Sequence, residues 1–282
     1  MSDSANGADD PGPELAQEYE TVNLWRQEGA ATIELNRPQR LNAWNRQFGL
    51  DLLAAVQTVA EDDSVRAVVV RGAGRGFSSG ADLKDQAGAT DTTPGGHLDV
   101  RSVLDEVYHP IITTIRRMPK PALAAVRGPA VGIGCSLALT CDLIVAAESA
   151  YFMLGFVNIG LVPDGGSSVL VPTRVGMARA TEMALLGERV PAAQALQWGL
   201  INRVVADQDF DAEVGALGAR LAAGPTRSYA GTKRQLNAWL YGRMDDQLEL
   251  EANIQQEMAA SGDFLEGVTA FVEKRDARFQ GA

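Results

Sequence analysis

Histidine and cysteine are nearly absent: the chain has two of each, His97 and His109, Cys135 and Cys141. Two histidines are too few for most His-based metal centres, and no Cys-x-x-Cys spacing occurs, so no metal site is expected. Two small thiols fit buried packing in a reducing compartment better than a disulfide. An excess of positive charge is missing too. The formal net charge of −11 argues against a general polyanion binder, because phosphate backbones demand a basic surface, so no nucleic-acid partner is expected. One anionic ligand held by a few local cations stays open. No apolar run approaches the ~20 residues of a membrane helix. The opening MSDSANGADDPGPELAQ lacks the basic region and apolar core of a signal peptide. These absences predict a soluble cytoplasmic protein with no membrane partner.

What is present is an ordinary globular balance, 46% hydrophobic and 22% charged over 282 residues, enough to bury a sizeable core. Residues 1–17, rich in Asp, Gly, Pro and Ser, read as a disordered acidic tail. Alternating apolar residues broken at Glu28-Gly29 predict a β-hairpin. Phe48, Leu52, Leu53, Val56 and Val59 share one face of a predicted helix. VRAVVVRGA, KPALAAVRG and LIVAAESA are short apolar runs, read as buried strands. The polar stretch from about 85 to 99 reads as a mobile loop. A helix follows it, which Pro110 should kink or interrupt. Strand, Gly-rich turn and helix recur, which suggests βαβ units around a mainly parallel sheet. The expected layout is a tail (1–17), an α/β core (18–205) and a helical C-terminal region (206–282).

GFSSG, residues 76–80, matches the G-x-S-x-G nucleophile elbow, but that reading needs an acid and then a histidine later in the chain. No histidine lies beyond position 109, so the match is taken as accidental. GAGRGF is only a loose relative of a dinucleotide-binding glycine loop. The pair of Gly-rich turns FSSGADLK and GPAVGIGCSLAL is more informative. Glycine lets a backbone approach a ligand closely, and the second turn opens a helix, whose N-terminus favours negative charge. Two N–H groups from two such turns can converge on one carbonyl oxygen as an oxyanion hole. Tight strand–helix packing explains the same glycines.

These residues also carry a resemblance. LNRPQRLNAW, GRGFSSGADLK, PALAAVRGPAVGIGCSLALTCDLIVAAESAYF, LVPDGGSS and GVTAFVEKRDARF fall in order, from about residue 20 to the C-terminus. Together they resemble the crotonase superfamily, the enoyl-CoA hydratase/isomerase family. The resemblance implies an α/β crotonase fold of repeated ββα units with a helical trimerisation region, often doubled to a hexamer. It implies an acyl-CoA thioester substrate, whose enolate oxygen would be held by the backbone N–H groups of Ala81 and Ile133. Coenzyme A enters as part of the substrate, and no separate cofactor is implied. By position it would pass Arg40, Leu41 and Ala43, then Ser79, Asp82, Leu83 and Lys84. Gly134 would lie beside the second turn. Lys274 and Arg275 become phosphate candidates, reached from a neighbouring subunit. His97, His109 and Tyr108 fall in or beside the family's variable acyl-pocket loop; both histidines are expected to face solvent, and Tyr108 to line the pocket.

The chain departs from the family's hydratases, which use two glutamates. Ser136 and Phe156 stand at those positions, and neither replaces a carboxylate as a general base. Isomerase-type members carry one carboxylate where this chain has Asp164. GLVPD, the Gly-rich turn after it and the FQG near the C-terminus are most similar to the ring 1,2-epoxyphenylacetyl-CoA isomerase group. An apolar setting, FMLGFVNIGLVP, would raise the Asp164 carboxyl toward a useful pKa. Asp164 is also well placed to cap the following helix. The resemblance implies an enoyl-CoA-type isomerase with Asp164 as acid and base. An enoyl-CoA hydratase and a non-catalytic acyl-CoA binder stay open as alternatives.

Overall fold

The computed structural model of the chain describes residues 12–86 and 92–282. Residues 1–11 of the expected tail and 87–91 of the expected loop lie outside the described residues. The rest of the tail is not disordered: Glu14–Glu18 form strand β1, which pairs antiparallel with β2 (Val22–Gln27). All five β1 residues are exposed, so no apolar alternation betrays the strand. The hairpin to β3 (Ala30–Leu35) turns at Glu28 and Gly29, with φ of 43° and 81°. Two positive φ values in a two-residue loop match the right-handed twist of the flanking strands.

Helix α1 (Arg46–Glu61) follows, capped by the Asn45 side chain accepting from Phe48 N at 3.0 Å. Next come β4 (Ala67–Gly72), the short α2 (Leu83–Gln86) and α3 (Val100–Val103), a π-helical turn (Leu104–Tyr108) and α4 (His109–Arg117). Within the expected loop, Thr92 and Leu98 form a bridge and Asp99 caps α3, so residues 92–99 are a closed turn. Pro110 does not break the helical run. It sits in the first turn of α4, where no backbone N–H is required, and the π turn ahead of it absorbs the mismatch.

The chain continues through β5 (Ala122–Val126), β6 (Pro129–Val131), α5 (Ile133–Thr140), β7 (Leu143–Ala147) and β8 (Tyr151–Met153). After a 3₁₀ turn (Phe156–Ile159) come α6 (Ser167–Leu186), β9 (Val190–Pro191), α7 (Ala192–Trp198) and β10 (Arg203–Val205). Helices α8 (Phe210–Ala223), α9 (Thr226–Leu240), α10 (Met244–Ala259) and α11 (Gly262–Glu273) complete it.

Among the described residues the main sheet has the order β1-β2-β3-β4-β5-β7-β10, and β6-β8-β9 form a second sheet. β3, β4, β5, β7 and β10 run parallel. Their near-continuous apolar runs follow from burial on both faces. Val68, Val70, Ala124, Val126, Ile144 and Ala146 point into a core shared with α1, α4 and α5. Ala67, Val69, Leu123, Ala125, Val145 and Ala147 point the other way, onto Phe210, Val214, Leu217 and Leu221 of α8. Helix α8, read from sequence as part of the C-terminal region, thus covers the sheet of the core. No described helix is long and apolar enough to cross a membrane.

Candidate active site

Two turns and one loop meet around a cavity of about 630 Å³. The first turn follows Phe77. Trp44 and Ala81 form a parallel bridge in which Trp44 N donates to Gly80 O at 2.8 Å and Asp82 N to Trp44 O at 2.9 Å. That pattern uses the Gly80 carbonyl and the Asp82 N–H, while the Gly80 N–H donates to Ser78 Oγ at 3.3 Å; among the described residues the Ala81 N–H is left unpaired. The second turn ends at Gly132, and Ile133 opens α5, so its N–H belongs to the helix's first, unsatisfied turn. The positive end of α5 adds to this donor.

The turns can approach because both carry glycine in the left-handed region. Gly80 has φ of 88°, and a Cβ there would lie 2.9 Å from Val131 O; Gly132 has φ of 54°, with Gly80 Cα 3.9 Å from its would-be Cβ. Ala81 and Ile133 both line the cavity.

Asp164 lines the same cavity at 5% exposure. Its side chain does not cap α6, as the sequence suggested; the N-cap position is Gly166, and no side chain caps there from that position. The carboxylate turns instead to α10, where Gln255 Nε2 donates to Oδ2 at 2.8 Å. Oδ1 is buried with no partner among the described residues. The capping role falls to Glu251, which accepts from Gly166 N at 2.8 Å and Ser168 N at 3.0 Å. Gln255 Oε1 also accepts from Val162 N at 3.1 Å. One turn of α10 therefore holds the 162–168 segment at both ends. Ser136, at a hydratase glutamate position, donates from Oγ to Asp164 O at 2.8 Å and so fixes the backbone of the acid.

Burial pushes the Asp164 carboxyl up to about 7; the Gln255 hydrogen bond opposes this, and the charge of Glu251 adds to it. Glu251 is likewise raised to about 7 by burial, against the pull of its backbone donors. Two more carboxylates line the cavity, but both are engaged. Asp85 accepts from Asn45 Nδ2 at 3.0 Å and lies 3.7 Å from Arg37. Asp99 accepts from the Ser102 N–H and hydroxyl, which hold it below the usual carboxylate range.

The structure gathers Ser79, Ala81, Leu83, Ile133, Phe156 and Asp164 on the cavity wall. Other predicted residues stand apart from it. Asp82 is buried in an ion pair with Arg37 at 3.2 Å, so it braces the turn. Gly134 packs against Ser78, whose Oγ would lie 2.6 Å from an added Cβ; its smallness serves helix packing. Ala43 is buried nearby, while Arg40 is exposed beside Leu41, whose carbonyl accepts from Ser79 N at 2.9 Å. Lys84 and Lys274 are exposed, Lys274 at the C-cap of α11. Arg275 is engaged by Glu266 and Glu273, each at 2.6 Å.

Ser78 of the GFSSG motif is fully buried and bonded to Trp44 and Asn42, a structural hydroxyl. His97 is exposed as expected, but His109 is buried at 9% exposure, its Nδ1 3.6 Å from Asp105 Oδ1. It is the first residue of α4, directly after the π turn. Sequence reasoning missed Glu251 and Gln255. Their signal was present: both interrupt the stripe formed by the buried Leu248, Ala252 and Ala259.

Two glycine-bearing turns and a buried carboxyl thus share one cavity of an α/β fold. Residues 25–282 match the enoyl-CoA hydratase/isomerase family, to which the chain therefore belongs, and its fold is the crotonase fold. A probable enoyl-CoA hydratase of Rhodobacter capsulatus is 43% identical over 263 residues, 93% of this chain and 99% of that one. The 1,2-epoxyphenylacetyl-CoA isomerase of Escherichia coli is 38% identical over 90% of this chain and 96% of its own. The crystal structure of an enoyl-CoA hydratase from Mycobacterium avium subsp. paratuberculosis superposes with a TM-score of 0.84 at 38% identity, covering 93% of this chain and 100% of that one. The chain is an acyl-CoA enzyme of this family, and its relatives carry both hydratase and isomerase names.

Proposed function

We propose that the protein is an acyl-CoA isomerase in which Asp164 moves one proton between two carbons. The observation that carries this reading is the state of Asp164: buried on the cavity wall, one oxygen unpaired, its carboxyl raised to about 7. In the first step the carboxylate takes a proton from the carbon α to the thioester carbonyl of a β,γ-unsaturated acyl group. The C–H electron pair moves toward the thioester oxygen, which the Ala81 and Ile133 N–H groups hold as an enolate. Asp164 then returns the proton to the other carbon, and the double bond has migrated. Donors aimed at the developing oxyanion are worth a few kcal/mol each. Hydration asks for a second free acid or base, and the remaining cavity carboxylates are engaged.

Deuterium wash-in tests the reading. In heavy water, with a panel of enoyl- and arylacetyl-CoA thioesters, the protein should catalyse exchange or double-bond migration, read by mass spectrometry and NMR. Asp164→Ala should lose it. Exchange that persists in the variant, or a 3-hydroxy product from crotonyl-CoA, would sink the isomerase reading.

The pH profile separates the roles of α10. Exchange by wild type should rise with pH through about 7, as the Asp164 base ionises. Gln255→Leu removes a bond that favours the carboxylate, so the midpoint should move up. Glu251→Gln removes a like charge, so it should move down. Profiles that superimpose would show that neither residue tunes Asp164.

We also infer that the chain self-associates as a trimer or a doubled trimer. Helix α9 exposes Trp239 at 85%, Leu236 at 52% and Leu240 at 39%, an apolar surface that a lone chain would leave in water. Sedimentation velocity should give three or six times the mass of one chain; a monomer at micromolar concentration would overturn this.

A further inference from the structure

Tyr108, at 7% exposure, lines the cavity at the end of the π turn. Its ring meets Trp44 edge-on, with centroids 5.0 Å apart. Burial, and then the charge of Asp164, push its phenol above the ordinary range, so the hydroxyl keeps its proton. Yet no described residue exchanges a hydrogen bond with that hydroxyl.

The neighbouring polar atoms are engaged. Trp44 Nε1 donates to Ser78 Oγ at 3.1 Å, and Asp164 Oδ2 is held by Gln255. Phenylalanine at 108 would make the same edge contact with Trp44 and lose no hydration. Besides the Ala81 and Ile133 N–H groups, the wall thus presents a buried acceptor with no partner among the described residues, Asp164 Oδ1, and a side-chain donor, the Tyr108 hydroxyl. A substrate that fills the cavity strips water from both. Asp164 then meets its proton on carbon, but the hydroxyl is stranded if hydrocarbon alone faces it.

We propose that Tyr108 is a specificity-determining hydrogen-bond donor, and that the acyl group carries an oxygen beyond the thioester (hydroxyl, ether or keto) that accepts from it. The proposal rests on the Asp164 reading for where the acyl group lies. A pocket built around a hydrogen bond rejects an analogue lacking the partner far more strongly than an apolar pocket rejects a change of shape. Plain enoyl chains are then poor substrates.

Isothermal titration of two matched pairs tests this: 2-hydroxyphenylacetyl-CoA against phenylacetyl-CoA, and 3-hydroxybutyryl-CoA against butyryl-CoA. Wild type should hold the hydroxylated member of at least one pair about tenfold tighter or more. In Tyr108→Phe that ratio should fall to about one. Equal affinities within both pairs in wild type overturn the proposal without reference to any variant, and a preference that survives in Tyr108→Phe overturns it too. Deuterium exchange into phenylacetyl-CoA by wild type is scored separately. Its absence there, with exchange into neither hydroxylated thioester either, counts against Asp164 as the base, while the binding ratios still decide the role of Tyr108.

Discussion

Asp164→Asn is expected to silence proton transfer and, at alkaline pH, to stabilise the fold. Removing a positioned acid or base costs about 10²–10⁴ in rate, so exchange should fall to background. The stability effect follows from linkage. Burial raises the folded-state carboxyl from its ordinary 3.8 to about 7. A raised folded pKa means stability that is fully present below the unfolded value and lost as pH climbs through the folded one. Wild type therefore bears the cost of an ionised buried carboxylate at pH 8, on the order of 4 kcal/mol, and almost none at pH 4. Asparagine keeps an oxygen for Gln255 and never ionises. The denaturation midpoint of Asp164→Asn should exceed that of wild type at pH 8, and the gap should shrink as pH falls and close near pH 4. Glu251 titrates in both proteins, so only its coupling to Asp164 enters the difference. A gap independent of pH would mean that Asp164 is not held in the apolar setting described. Such a trade, in which the reactive group costs stability at working pH, is expected of a site tuned for chemistry.

The parts of this site that could be read from sequence are those made by neighbours in the chain. AVVV, ALAAV and LIVAA are apolar on both faces, and they are the strands covered on both faces. The two Gly-rich turns were legible because positive φ demands glycine and leaves a local mark. Asp164 was legible as one acid in an apolar stretch. Its partners were not. Gln255 lies 91 residues further on; the apolar stripe of its helix turns it inward, but nothing in the sequence says that it meets Asp164. The direction of the Asp164 side chain depended on that distant contact, so a helix cap was an equally good expectation. β1 escaped notice because an exposed edge strand needs no apolar residues. Arg275 read as a free cation because the segment that folds it back on Glu266 is itself tertiary.

Asp142→Ala is expected to be the most destabilising single change outside the apolar core. Asp142 Oδ1 lies 3.1 Å from Arg116 Nη2, and Oδ2 lies 2.8 Å from Lys233 Nζ. The same carboxylate accepts from Ala122 N at 2.8 Å. Arg116 and Lys233 are both buried, and burial holds the Lys233 amine below its ordinary pKa against the pull of Asp142. Arg116 also donates to Thr140 O and Asn237 Oδ1, each at 2.6 Å, and Lys233 to Ile115 O at 2.7 Å. The network joins α4, the end of α5 and α9. Removing this carboxylate, the only one paired with Arg116 and Lys233 among the described residues, strands two buried cations, at a cost of about 3–5 kcal/mol. Lys233→Met should cost less, because Arg116 and the Ala122 N–H still satisfy Asp142. Urea denaturation should rank the variants in that order, and amide exchange should quicken first along α9. A loss below about 1 kcal/mol for Asp142→Ala would mean that water already reaches the cluster and screens it. The consequence reaches the chemistry, because α9 leads into α10, and α10 carries Glu251 and Gln255 onto the Asp164 loop. Loosening α9 should therefore broaden the pH profile of exchange before it unfolds the sheet, since the groups that tune Asp164 would sample more than one position.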